Sequence, residues 1–289
     1  MFKSMVPVSL GRHGKKRVKA IENFEFAKGI NMASVMVHEF SRVASVYPVI
    51  FVEDKQKDQF KPVVLLGLEE GENLFVEGDK WQASYIPAII RRYPFALAKT
   101  DEEGRFTVCI DEQSDLIQDE EGQALFNDNG EPAELMERVK RYLAELQQMD
   151  AFTEEFCKYL SAKNMFTPLN MKVRIGNELR NITGGYIVNE ERLNSLSDET
   201  FLEMRLKKYI PVVYSHLSSL SQIERLLGFK EKRLIKATEL GEHFSEIEAG
   251  DRSPDVPSAD VNTAETSAGK LKKSKSVRTQ KTKQAFNGI

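Results

Sequence analysis

From Pro132 to about Lys163 the chain sets apolar side chains at Leu135, Val139, Tyr142, Leu146, Met149, Phe156 and Leu160, and only Thr153 interrupts the row. The spacings alternate between four and three, the repeat that keeps one face of an α-helix apolar over many turns. At 1.5 Å per residue such a helix is about 45 Å long. A stripe of that length has to be covered. Either a sheet and helices of the same chain lie against it, or a second helix from a partner or another copy does. Pro132 suits a first helical turn, and NDNGEP before it reads as a loop. The expectation is one long amphipathic helix over 132–163, with an oligomer seam along it as the alternative to packing within the chain.

The segments before it supply a cover. PVIFVED (48–54) and FKPVVLLGLEE (60–70) are rich in β-branched residues and are joined by a short polar loop. EGD at 77–79 signals a hairpin, and FALAKTDEEGRFTVCIDE (95–112) reads as two strands around a turn. Connections this short cannot make parallel crossovers, so the pairing is antiparallel. The run 31–47, with Met32, Met36, Phe40, Val43 and Tyr47 on one helical face, reads as a helix ended by Pro48. SYIPAIIRRY (84–93) fits a short helix, and 170–189 returns to strand-like alternation. Ser197 or Asp198 caps a helix to about 208, and Pro211 opens another to about 227. The fold class is therefore α+β: a mostly antiparallel sheet from 48–112 joined by strands of 170–189, with packed helices and one long amphipathic helix.

Charge divides the chain further. Residues 1–20 hold six Lys/Arg and no acid, and 270–289 hold seven and no acid. Between them 28 of the 41 basic residues face all 44 acidic ones. The reading is a basic flexible arm (1–20), a globular body (21–240) and a disordered tail, acidic then basic (241–289). An acidic body lacks the positive potential that a nucleic-acid groove needs, while the basic ends suit an anionic partner. No apolar run reaches the length of a membrane span, and the N-terminal charges follow a short apolar stretch, the reverse of a secretory signal. Synthesis in the cytoplasm without classical export is expected.

Signatures of common chemistries are missing. His38-Glu39 has Arg42, not His, four residues after the histidine, so the zinc-protease pattern fails. There is no CxxC, Walker loop, GxGxxG or GxSxG. Cys109 and Cys157 share no motif spacing and read as buried thiols, and His216 reads as a satisfied core histidine. No catalytic residue, metal site or cofactor is assigned.

The informative charges are Glu39, Arg91 and Arg92. On a helical wheel Glu39 falls inside an apolar arc, where a lone carboxylate is costly and needs a partner. Arg92 borders the apolar side of 84–93 and Arg91 points away from it. A structural ion pair between Glu39 and Arg92 is expected. Arg91, with Trp81, Tyr85 and Asn73, is left to receive a small acid or a peptide carboxylate. Strand edges around 60–76 offer an alternative place for an extended peptide.

The runs HEFSRVASVYPVIFVED, FKPVVLLGLEEGENLFV, KWQASYIPAIIRRYPFAL, QALFNDNGEPAELME and VVYSHLSSLSQIERLL, in that order over roughly 20–230, resemble the bacterial SapC family. Its characteristic positions fall on Glu39, Tyr47, Pro48, Gly67, Asn73, Trp81, Tyr85, Pro87, Arg91, Arg92, Tyr93 and Pro94, among others. The resemblance implies a non-catalytic binding or structural protein with a protein partner, associated with a surface layer or, since such genes also occur in phages, with virion assembly. The alternative it implies is an enzyme or accessory acting with a peptide- or small-molecule-modifying system. It transfers no catalytic residues.

Overall fold

The computed structural model describes residues 1–100, 105–176 and 178–250, with side chains only up to 239. One compact unit spans Met1–Gly241. The second, Glu242–Ile289, is described only to residue 250, where it is helical; the tail expected to be disordered beyond that point lies outside the described residues.

The first unit is built on a five-stranded antiparallel sheet in the order Phe166–Pro168, Tyr186–Val188, Val49–Asp54, Gln59–Leu65, Met32–Ser34. A separate three-stranded antiparallel sheet runs Met5–Pro7, Phe106–Asp111, Phe95–Lys99. The fold is α+β as expected. The single sheet expected over 48–112 divides into three, however. Val49–Asp54 and Gln59–Leu65 stay in the five-stranded sheet, Val76–Glu77 pairs only with Lys80–Trp81, and Pro87–Tyr93 turns the chain before the strand at Phe95. Of the strands in 170–189 only Tyr186–Val188 joins the main sheet, while Met171–Ile175 and Glu178–Ile182 pair with each other. The expected 77–79 hairpin forms as Val76–Glu77 against Lys80–Trp81.

The long helix runs Glu134–Ala162, and Glu134 and Glu137 in its first turn favour its N-terminal dipole. Its stripe is covered by the chain itself. Met136, Leu143 and Leu146 are buried in one cluster with Ile110 and Leu125, while Phe156, Cys157 and Leu160 enter a larger one around Phe40, Tyr47, Phe51 and Phe75. Leu135, Val139, Tyr142 and Met149 pack against the first of these. The oligomer seam expected along 132–163 is thus already filled, since the two sheets present enough apolar surface to bury it. Thr153, the break in the stripe, donates to the Met149 carbonyl (2.8 Å) and accepts from Val37 N–H (3.0 Å). The polar position therefore pins the helix to the loop before Phe40.

Three expectations need correction. Residues 31–47 are not one helix. Met32–Ser34 is a strand, followed by a 3-10 turn at Val37–Glu39 and one α-turn at Phe40–Val43. The exposed–buried alternation from Met32 to Val35 is a strand pattern that the four-residue spacing masked. Nor are residues 1–20 a free arm. Met5–Pro7 pairs with Cys109–Asp111, and Arg17–Val18 lies between Ile117–Gln118 and Gln123–Ala124. The buried Asp111 accepts from Lys3 N–H (2.9 Å) and Ser4 N–H (2.8 Å). Gly122, at φ +101°, lets its loop approach Val18 so closely that a Cβ would sit 2.5 Å from the Val18 carbonyl. Arg12, Lys16 and Lys19, three of the six basic residues of this end, are held by Glu112, Asp119 and Glu121 at 2.5–2.7 Å. Finally, Gln59–Leu65 is an interior strand, with Val49–Asp54 on one side and Met32–Ser34 on the other, so the edge expected around 60–76 is closed over Pro62–Leu65.

The single helix expected from Pro211 to about 227 is two: one over Tyr209–Ser219 and a last one that begins at Gln222 and continues to Gly250. Lys230 bridges Glu69 and Glu72 at 3.0 and 2.8 Å, and Arg233 donates to the carbonyls of Asn73 and Val76. These contacts, with Phe229 edge-on to Phe75, tie it to the loop before the 76–81 hairpin.

Candidate functional site

The short helix Ala88–Arg91 places its two arginines at a corner between the two sheets and the long helix. Glu39 lies behind it and is 5% exposed. Its carboxylate accepts from Met36 N–H (3.1 Å), Ala88 N–H (2.8 Å) and the Tyr85 hydroxyl (2.7 Å). The expected Glu39–Arg92 ion pair is absent: no Arg92 nitrogen comes within 4.0 Å of the carboxylate, and three neutral donors compensate the charge instead. The helical wheel does not apply because Glu39 sits in a 3-10 turn, and its carboxylate meets the first N–H of the helix Ala88–Arg91.

Arg91 is exposed. It donates from Nε to the Ile86 carbonyl (2.9 Å) and from Nη2 to the Tyr85 hydroxyl (3.2 Å), and its guanidinium lies over the rings of Tyr85 (5.4 Å) and Tyr142 (5.9 Å). The Tyr85 phenol is pushed up to about 12, chiefly by burial and then by its bond to Glu39, with Arg91 opposing. It therefore stays a donor at neutral pH. Trp81 donates from Nε1 to the Tyr47 hydroxyl (2.8 Å), which in turn donates to the Tyr85 carbonyl. So Trp81, Tyr85 and Arg91 share one hydrogen-bonded chain with Tyr47 and Glu39. Asn73 is not part of it: its amide donates to the Ala27 carbonyl (3.0 Å) and accepts from Phe75 N–H (2.9 Å), and it is buried as a turn-former.

Arg92 is the anomaly. Its Nε is the only buried side-chain polar atom without a hydrogen-bond partner among the described residues. Burial lowers its pKa, with Asp150 opposing, and its guanidinium stands 5.6 Å from the centre of the Phe2 ring. A guanidinium this poorly compensated favours any anion that can reach its outer nitrogens.

Arg92 lines two recesses. One, of about 430 Å³, is also lined by Lys19, Arg91 and Tyr142, with Ile86, Leu135 and Val139 among its apolar walls and no carboxylate. The other, of about 490 Å³, opens between the Ser34–Met36 and Leu97–Lys99 segments over the long helix. Both are in the ordinary size range for ligand sites. Lys19 and Tyr142 were not singled out from sequence. Lys19 sat in the supposed arm, and Tyr142 read as one more member of the apolar stripe.

A sequence model of the SapC family matches residues 9–226, three quarters of the chain. The chain belongs to the SapC family. The match takes in the corner helix, Glu39 and both recesses, and stops just after the last helix begins. Searches of curated proteins and of solved structures found no match. Within this SapC chain, the buried His216 bonds Val49 and Val188 through its two ring nitrogens, and Cys109 and Cys157 are free and buried, with Cys157 pushed up to about 12 by burial. Among the described residues no group of three or more His, Cys, Asp or Glu is placed to hold a metal, and no helix is long and apolar enough to cross a membrane.

Proposed function

We propose that this SapC-family chain is a non-catalytic binding protein that receives a carboxylate carried on an apolar body, in the recess beneath Arg91 and Arg92. The single observation that carries the reading is the lining of that recess: three cations, no acid, apolar walls, and an Arg92 guanidinium whose own structure leaves it under-compensated. Lys19 is already bonded to Glu121, so the two arginines are the groups open to a ligand. Planar guanidinium groups suit a carboxylate, and the walls suit a short aliphatic or aromatic body. The tyrosines behind Arg91 fix its position and so lower the ordering cost of binding. The narrower version, in which the bound carboxylate belongs to a protein of a surface layer or virion, predicts co-sedimentation with envelope or particles.

Thermal unfolding with octanoate and phenylacetate, each beside its matched alcohol, tests this. At a hundred times its dissociation constant a ligand adds about 2.7 kcal/mol to stability. The carboxylates are expected to raise Tm by several degrees and the alcohols not to. Arg91→Ala, an exposed change, should abolish the rise while leaving the ligand-free Tm close to that of the native chain. Equal shifts from acid and alcohol, or none from either acid, would overturn the reading.

A further inference from the structure

We infer that the chain also binds an extended peptide by strand addition, on the outer edge of Phe95–Lys99, with an acidic side chain of the peptide directed at Arg92. This does not rest on the carboxylate recess; it concerns the other side of Arg92.

Phe95–Lys99 is the end strand of its sheet. The bonds Asp111 N–H to Pro94 carbonyl (3.0 Å) and Thr100 N–H to Arg105 carbonyl (3.1 Å) fix which residues face the neighbouring strand. With Ala96 opposite Cys109 and Ala98 opposite Thr107, these are 94, 96, 98 and 100. The N–H and C=O groups of Leu97 and Lys99 therefore point away from that strand, and no described residue bonds them. Phe95 is different, since its N–H is used by the Arg92 carbonyl (2.8 Å). The open positions are thus two residues apart, the spacing at which an added strand bonds. Leu97 and Lys99 both line the 490 Å³ groove. On its far side stands Ser34, whose backbone groups also face away from their sheet partner, because Val35 N–H, one residue on, is the one that bonds the Pro62 carbonyl. Two unpaired edges thus border one groove.

Charge selects the occupant. Arg92, Lys61 and Lys99 line the groove against Asp150 and Glu154. The three cations, with the Arg92 Nε left without a partner, outnumber the two carboxylates. Phe60, Leu97, Leu143 and Leu146 supply apolar lining on either side. Alternate residues of an added strand face the same way, so the fitting pattern is apolar, acidic, apolar at every second position. A second copy fits badly. Antiparallel self-pairing centred on Leu97 brings Lys99 of one copy towards the Arg92 end of the other, cation towards cation.

The test uses the full chain and a fluorescein-labelled octapeptide of alternating valine and threonine with one central valine replaced by glutamate. Anisotropy should show saturable binding, weakened about tenfold or more when lysine replaces the glutamate, as expected for one charge pair worth about 1.4 kcal/mol. N-methylation of one alternate set of peptide amides should abolish binding while the other set is tolerated. Amide hydrogen exchange at Leu97 and Lys99 should slow on binding. Lys99→Pro removes an outward N–H at an exposed edge position, where proline is accommodated, and should weaken binding without disturbing the ladder to Phe106–Asp111. Should that variant fail to fold, the two methylated peptides decide. Absence of saturable binding overturns the proposal, as does binding indifferent to methylation and without protection at Leu97 and Lys99. Dimerisation abolished by Lys99→Pro would assign the edge to a second copy and likewise overturn it.

Discussion

Glu39→Ala is expected to lower Tm by roughly 10 °C, one of the largest single-residue losses in this chain. The carboxylate is almost fully buried and accepts from two backbone N–H groups and one phenol. Alanine leaves all three donors without a partner. Each buried unsatisfied group costs about 1–3 kcal/mol, and bonds to a charged acceptor stand at the upper end of net values. The donors relax together, so the sum is not reached; about 4 kcal/mol is a reasonable figure. For a body of this size each kcal/mol moves Tm by about 2–4 °C. Glu39→Gln keeps the shape but turns one acceptor into a donor facing donors, so an intermediate loss is expected. Arg92→Met, by contrast, should cost far less than it would if Arg92 were the partner of Glu39. Chemical denaturation of the three variants separates the two pictures: a Glu39→Ala loss below 1 kcal/mol, or a loss matched by Arg92→Met, would restore the ion pair and discard the three-donor account.

The legible parts of the fold were those where one local signal dominated. The 134–162 stripe is legible because its apolar side chains recur at a helical spacing. The runs at 49–54 and 59–65 are legible because they are short, rich in β-branched residues and bounded by a polar turn, although each is buried as a continuous block at one end. Residues 32–47 support both a helical and a strand period. Tertiary pairing with Val63–Leu65 decided for a strand, and no local signal carried that information. The first twenty residues misled for a related reason. Their Lys and Arg suggest an arm, yet the acids that pair with three of them, Glu112, Asp119 and Glu121, lie about a hundred residues away. At the site, sequence reasoning set Glu39 beside Arg92, whereas the hydrogen bonds run from Arg91 to Tyr85 and from Tyr85 to Glu39, and none of them involves Arg92. That reasoning assigned the wrong bonds because a hydrogen-bonded carboxylate and an ion-paired one look alike until the backbone is placed.

His216 should make the chain acid-sensitive well above the usual carboxylate range. It is fully buried on the helix Tyr209–Ser219, where Nδ1–H donates to the Val49 carbonyl (2.9 Å) and Nε2 accepts from Val188 N–H (3.0 Å). It thus spans the junction between Val49–Asp54 and Tyr186–Val188, a pair of strands whose assigned register is the single match Tyr186↔Phe51. Protonation would put a second N–H where Val188 already donates. Burial pushes its pKa down from 6.5 to about 4, opposed only by the bond to Val49, and no charged side chain contributes. The unfolded chain therefore binds a proton at this residue at a higher pH than the folded one. The stability involved is fully present above about 6.5 and is lost as the pH falls towards 4, in total about 3 kcal/mol at 1.36 kcal/mol per unit. The check is Tm against pH from 7 to 4 for the native chain and for His216→Gln, which retains one donor and one acceptor but does not titrate there. The variant should start lower and lose less over that window, because what remains of its slope belongs to carboxylates common to both chains. Parallel curves would mean that His216 is protonated in the folded chain, and the strand junction would then have to be held by the aromatic contacts around Phe51 rather than by this imidazole.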